Sequence, residues 1–148
     1  MTAPLIDIKT RKVWMGALAR AKPGDVARLF PDVPDHILLR APEVGAAMVR
    51  GRIGGSGQPF NLGEMTVARC SVRLGGGTVG HAHVQGRDKA HALRAAVLDA
   101  LLQADPDGAL HAQVIAPLLA AETAARALRA SKAAATKVEF FTLVRGED

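Results

Sequence analysis

The chain has 148 residues, 49% of them apolar and 22% charged, a globular composition that excludes a disordered chain. No apolar run approaches the ~20 residues of a bilayer span, and a lone cysteine, Cys70, excludes a disulfide scaffold and a cysteine zinc cluster within one chain. Nineteen Lys+Arg against fourteen Asp+Glu leave a net charge of +5, which suits an acidic protein surface, a phosphorylated ligand or nucleic acid without choosing among them.

This length predicts one domain over residues 1–148, able to bury ~70% of its unfolded surface. The opening MTAPLIDIKTRKVW has no apolar stretch before a small-residue cleavage site, so no secretory signal and a reducing cytoplasm are expected. Only five aromatic residues occur, Trp14, Phe30, Phe60, Phe140 and Phe141. Single-strand nucleic-acid readers need such rings as stacking platforms.

Thr10 to Ala21 reads as a helix, with Val13, Ala17 and Leu18 on one face and Trp14 beside them. Pro23 suits the first turn of a short second helix reaching Phe30, and Pro31 and Pro34 close that region. The pattern then changes to period two. His36–Ala41 and Val44–Ile53 predict a hairpin with Pro42 and Glu43 at its bend. Gly54–Gly63 (GGSGQPFNLG) predicts a loop. Met65–Leu74 is the clearest strand, sending Ala68, Cys70, Val72 and Leu74 one way and Val67, Arg69, Ser71 and Arg73 the other. Gly75–Gly77 turn the chain into a return strand, Thr78–Gln85.

Asp88 is positioned to cap a helix running to Gln103, with Leu93, Val97, Ala100 and Leu101 as its buried stripe. Asp105, Pro106, Asp107 and Gly108 end it. A last helical region is broken at Pro117 and continues to Ala135. Ten of the twenty residues Ala116–Ala135 are alanine, which favours helix but gives little burial on its own domain. Lys137–Val144 reads as strand or helix. The expected fold is α+β: a four-stranded antiparallel sheet with N-terminal and C-terminal helices packed mainly on one face.

Strict alternation places Arg50, Arg52, Arg69 and Arg73 on one sheet face with His81 and His83, a basic surface for an anionic partner or a solvated face. His81-x-His83 supplies two metal ligands where a catalytic zinc site needs a third; His91 is a candidate for it that nothing in the spacing requires, and no metal is expected. Gly54, Gly55 and Gly57 offer backbone N–H groups that can cradle phosphate or serve as a connector, without the Lys-Ser/Thr ending of a P-loop. Gly86-Arg87-Asp88-Lys89-Ala90-His91 joins a strand exit to a helix start, where N–H groups favour anions. Arg87 and Lys89 strengthen such a site and Asp88 opposes it; a capped helix with flanking ion pairs is the plainer reading. Cys70 lies on the buried strand face, where the thiolate is disfavoured. No nucleophile–base pair is visible, so no catalytic residue is assigned.

Four stretches together resemble the PhnG family of the bacterial carbon–phosphorus lyase machinery. They are Arg11–Met15 (RKVWM), Arg52–Glu64 (RIGGSGQPFNLGE), Gly86–Ala92 (GRDKAHA) and Lys137–Glu147 (KVEFFTLVRGE). The resemblance implies a subunit of a core complex with H, I and J subunits, and a functional link to an L protein. That assembly supports formation of alpha-D-ribose 1-methylphosphonate 5-triphosphate from ATP and methylphosphonate, with displacement of adenine, in the use of phosphonates as a phosphorus source. ATP is then a substrate of the assembly, and no cofactor is expected on this chain alone. One cysteine is too few for a four-cysteine iron–sulfur cluster. A stand-alone basic nucleic-acid-binding module is the alternative, which the low aromatic content disfavours; an independent small phosphotransfer enzyme is a third reading.

Overall fold

The computed structural model describes residues 7–138 of the chain. Helix α1 (Ile8–Arg20) starts where the Asp7 side chain accepts from the backbone N–H of Lys9. Trp14, Ala17 and Leu18, spaced three and four apart, are its buried face. Val13 lies off that face and is half exposed, so Trp14 takes the inner position expected for Val13. Helix α2 (Pro23–Leu29) carries Pro23 in its first turn, as the sequence predicts, and buries Val26.

Among the described residues the sheet has three antiparallel strands in the order β1-β2-β3, which corrects the expected four. The α+β class stands, but the hairpin expected at Pro42 does not form. β1 (His36–Arg52) runs unbroken for 17 residues. Its pairing with β2 (Pro59–Leu74) passes from Arg40↔Ser71 to Glu43↔Arg69, so Ala41 and Pro42 together oppose Cys70 alone. That extra residue is a bulge on an edge strand, where proline's missing N–H leaves no ladder bond unmade. The loop expected over Gly54–Gly63 shrinks to the tip between the strands, because Pro59–Gly63 already pair with β1. A short helical turn at Ile53–Gly55 closes the tip, with Gly54 and Gly55 at φ 60° and 82° and the Gly57 N–H donating to the Ile53 carbonyl at 2.8 Å.

β2 and β3 (Val79–Gln85) form the glycine-turn hairpin that the sequence predicts. Ala68, Cys70 and Val72 on β2 and Ala82 and Val84 on β3 point into the core. They meet α3 (Lys89–Ala104), whose Asp88 cap accepts from the His91 N–H at 2.8 Å. α3 is buried on most of its circumference, since the sheet lies on one side and α1 and α2 on the other. Its fully buried residues include Ala92, Ala96, Leu98 and Leu102, whereas Leu93 and Leu101 of the expected stripe are half-buried. Each fully buried leucine contributes about 1.5–3 kcal/mol. Gly80 sets the approach of sheet and helix. A Cβ there would overlap the Ala96 carbonyl oxygen and come within 2.8 Å of the Ala100 Cβ.

The last helical region is not broken at Pro117. A wider turn at His111–Ile115 precedes α4 (Ala116–Ala135), and the backbone stays helical through Ile115 and Ala116. Widening the turn ahead of a proline relieves its ring against the preceding turn. Val114, Ile115 and Leu118 root α4 in the core. Arg20 adds two hydrogen bonds to Glu122, at 2.9 and 3.0 Å, and beyond Glu122 every residue of α4 is exposed. The helices cover one sheet face; the other presents Arg73, His81 and His83 to solvent. Apart from Lys137 and Val138, the expected segment Lys137–Val144 lies outside the described residues.

Candidate functional site

A concavity of about 1150 Å³ lies between α1, the outer edge of β3 and α3, a place that sequence reasoning did not select. Leu18, Ala82, Val84 and Ala95 contribute its apolar lining, and Arg11, Lys12, His81 and His83 its polar one. Beside it Asp99, fully buried on α3, ties three elements together. One carboxylate oxygen accepts from Trp14 Nε1 at 3.0 Å and Arg11 Nε at 3.1 Å. The other accepts from Arg11 Nη2 at 2.7 Å, the His81 backbone N–H at 2.9 Å and Gln103 Nε2 at 3.3 Å. The hydrogen-bonded carboxylate raises the Arg11 pKa, against the cost of burial. This carboxylate has a full set of donors and acts as an anchor. Its signal in the sequence is an aspartate inside an otherwise apolar run, AAVLDALL, which demands partners from another element.

His91, expected at an anion site, is a core residue. It is 1% exposed, and its Nε2–H donates to the Leu18 carbonyl at 2.8 Å, holding α3 to α1. Nδ1 has no hydrogen-bond partner among the described residues, and burial pushes the imidazole pKa below its ordinary value. Arg87 and Lys89, by contrast, are exposed at the start of α3 and make no ion pair among the described residues. Gly86 makes the strand exit with φ 96°, its N–H donating to the Thr66 carbonyl at 3.0 Å. Asp88 is occupied as the helix cap.

The four arginines of the expected basic face are not brought together. Arg69 pairs with Glu43 at 2.8 Å, and Glu43 also meets Arg40 at 3.4 Å. Arg73 stands opposite Ile37 and Val79, at the other end of β2 from the ribbon tip. Arg50 and Arg52 lie at that tip, where seven β1 positions separate Arg50 from the register of Arg69, roughly 23 Å along the strand. At the tip they line a shallow concavity with Gly51, Gly55 and Pro59, while Arg52 Nη1 donates to the Gly57 carbonyl at 3.2 Å. Gly54 and Gly57 belong to the same turn; space is open around Gly54 and Gly55, whereas a Cβ at Gly57 would crowd the Ile53 carbonyl at 2.6 Å.

Cys70 is buried, its thiol donating to the Arg40 carbonyl at 3.4 Å, and burial pushes its pKa up. His81 shares a 2.9 Å hydrogen bond with Ser71. Among the described residues no group of three or more His, Cys, Asp or Glu is placed to hold a metal ion, and no helix is long and apolar enough to cross a membrane. Arg50, Arg52, Arg87 and Lys89 are exposed and make no ion pair among the described residues, and apolar side chains are exposed on the β1–β2 ribbon.

Residues 9–146 match the family described as phosphonate metabolism protein PhnG. The chain belongs to the PhnG family. It is 47% identical, across 95% of its length and 92% of the relative's, to the alpha-D-ribose 1-methylphosphonate 5-triphosphate synthase subunit PhnG of Rhizobium meliloti (strain 1021). The match to the PhnG family spans the glycine tip and the Gly86–His91 helix start alike.

Proposed function

We propose that this chain is the G subunit of an alpha-D-ribose 1-methylphosphonate 5-triphosphate synthase in the carbon–phosphorus lyase core complex, acting in organic phosphonate catabolism. The observation that carries the reading is the 47% identity over nearly the full length to a subunit of that name. In the overall reaction methylphosphonate replaces adenine at the ribose C1′ of ATP: a phosphonate oxygen forms the new bond to C1′, and the bond to the adenine nitrogen breaks. Both reactants and the ribose product are anions.

The part taken by this chain is binding and positioning. Arg87 and Lys89, exposed beside the first N–H groups of α3, face either a partner's carboxylates or the anionic substrates. The glycine tip with Arg50 and Arg52 has the same two uses. The H, I and J subunits are its partners, with the L protein linked functionally, and the assembly works in the cytoplasm. Two features support a life in a complex. The distal half of α4 has no packing partner among the described residues, and the far end of the β1–β2 ribbon lies outside the core.

Co-expression with the H, I and J subunits tests this reading. A tag on this chain is expected to bring down the other subunits in fixed proportion through affinity and size-exclusion steps. Elution of the tagged chain alone in every combination would refute it.

A further inference from the structure

β3 leaves β2 at Val67 and the Gly86 N–H still reaches the Thr66 carbonyl, so among the described residues the seven positions Pro59–Met65 have β1 alone beside them. With Ala47–Arg52 they make a two-stranded ribbon that runs roughly 23 Å beyond the body of the sheet. No residue of it belongs to the hydrophobic core cluster. A ribbon of two strands is marginal in water by itself, and this one is apolar. Five of the thirteen large hydrophobic side chains exposed on the described residues belong to this ribbon and its tip, and four more stand on β1 nearer the sheet body. Met48, Ile53 and Leu62 are 54%, 66% and 66% exposed, with Phe60 and Met65 close by. Concentrated apolar exposure of this kind marks a surface that is covered in use.

The charge and the edge of the ribbon select the occupant. From Val49 to Gly63 there is no Asp or Glu, while Arg50 and Arg52 make no ion pair among the described residues. Two copies meeting tip to tip would oppose these cations to their own kind. Adding a second copy along the outer edge of β1 is hindered near the sheet body by Pro42 and two register shifts and within the ribbon by a third between Val49 and Arg50, devices that spoil an edge for pairing. Nucleic acid would call for a run of cations, and here two arginines stand among apolar side chains. We propose that the ribbon is a docking arm that seats in an apolar groove on a different protein chain, whose carboxylates receive Arg50 and Arg52. This deepens the subunit reading above and rests on it.

The test uses the full chain and the separately purified H, I and J subunits, singly and combined. Ile53→Asp/Leu62→Asp and Arg50→Glu/Arg52→Glu alter exposed positions, so their melting temperatures are expected to match the parent. Each pair is expected to weaken binding to the receiving subunit at least tenfold by calorimetry. Amides 46–66 of the parent chain are expected to gain protection from hydrogen exchange on mixing. If the parent joins the complex and both double variants bind as tightly, the docking arm is refuted and the subunit reading survives. If the parent binds none of the subunits, the subunit reading falls and takes this one with it. A homodimer of the isolated chain that the same substitutions dissociate, or tight binding of an RNA oligonucleotide at physiological salt that Arg50→Glu/Arg52→Glu abolishes, would also overturn the proposal.

Discussion

Asp99→Asn keeps the shape of the buried side chain and removes its charge. All five hydrogen-bonding contacts to the carboxylate come from donors, and an amide has one accepting oxygen. Turned one way, its NH2 faces Trp14 Nε1 and Arg11 Nε; turned the other, it faces the His81 N–H and Arg11 Nη2. Gln103 is insulated, because its amide also donates to the Val79 and Asp99 carbonyls. One buried donor is therefore orphaned in either orientation, at a cost of about 1–3 kcal/mol. The broken pair with Arg11, whose side chain is one-third exposed and free to turn to water, adds a screened contribution of about 1 kcal/mol. The expected loss is about 3 kcal/mol, or ~6–12 °C in melting temperature for a chain of this size. Urea unfolding followed by circular dichroism measures it. Arg11→Met, combined with Asp99→Asn in a double-mutant cycle, is expected to show strong non-additivity. A loss below about 1 kcal/mol for Asp99→Asn, or plain additivity, would refute the anchoring role.

His91 makes the fold sensitive to acid. Burial lowers its folded pKa beneath the ordinary 6.5, so the unfolded chain takes up the proton first as pH falls. Its contribution is intact above about pH 6.5 and is lost as pH drops from there through the depressed folded value; His91→Gln is expected to flatten the stability–pH curve in that window, and an unchanged slope would contradict it. Gly80→Ala drives a methyl group against the α3 backbone and is expected to cost about 1–3 kcal/mol in urea unfolding. Arg87→Ala and Lys89→Ala are expected to leave stability within about 0.5 kcal/mol of the parent while reducing complex yield or product. Unchanged yield and product would remove the α3 start from the functional surface.

Local signals in the sequence read well where local chemistry decides the structure. Asp88 caps α3, Pro23 opens α2, and the run Gly75–Gly77 turns β2 into β3. Pro42 misled because proline marks a turn as readily as an edge bulge, and only the pairing of Glu43 with Arg69 across the sheet tells the two apart. The same long pairing draws Pro59–Gly63 out of the expected loop, although Phe60 and Leu62 already alternate with Asn61 and Gly63. The register also decided the fate of the arginine face, since strict alternation on two strands cannot say how far apart Arg50 and Arg69 stand along them. Asp99 and His91 escaped for a different reason. Their roles depend on Arg11, Trp14 and Leu18, some seventy to ninety positions earlier, and a partner so distant has no periodicity to announce it. What the motifs did convey was kinship, because Arg52–Glu64 and Gly86–Ala92 both fall within the stretch that matches the PhnG family.

Release of adenine from ATP in the presence of methylphosphonate is the most direct measurement of the central claim. The remaining synthase subunits are assayed without this chain, and then with it added back in equal amount. Turnover is expected to depend on its addition and to saturate near one copy of this chain per copy of the subunit it joins. Full turnover in its absence, with no gain on addition, would contradict its place in the synthase.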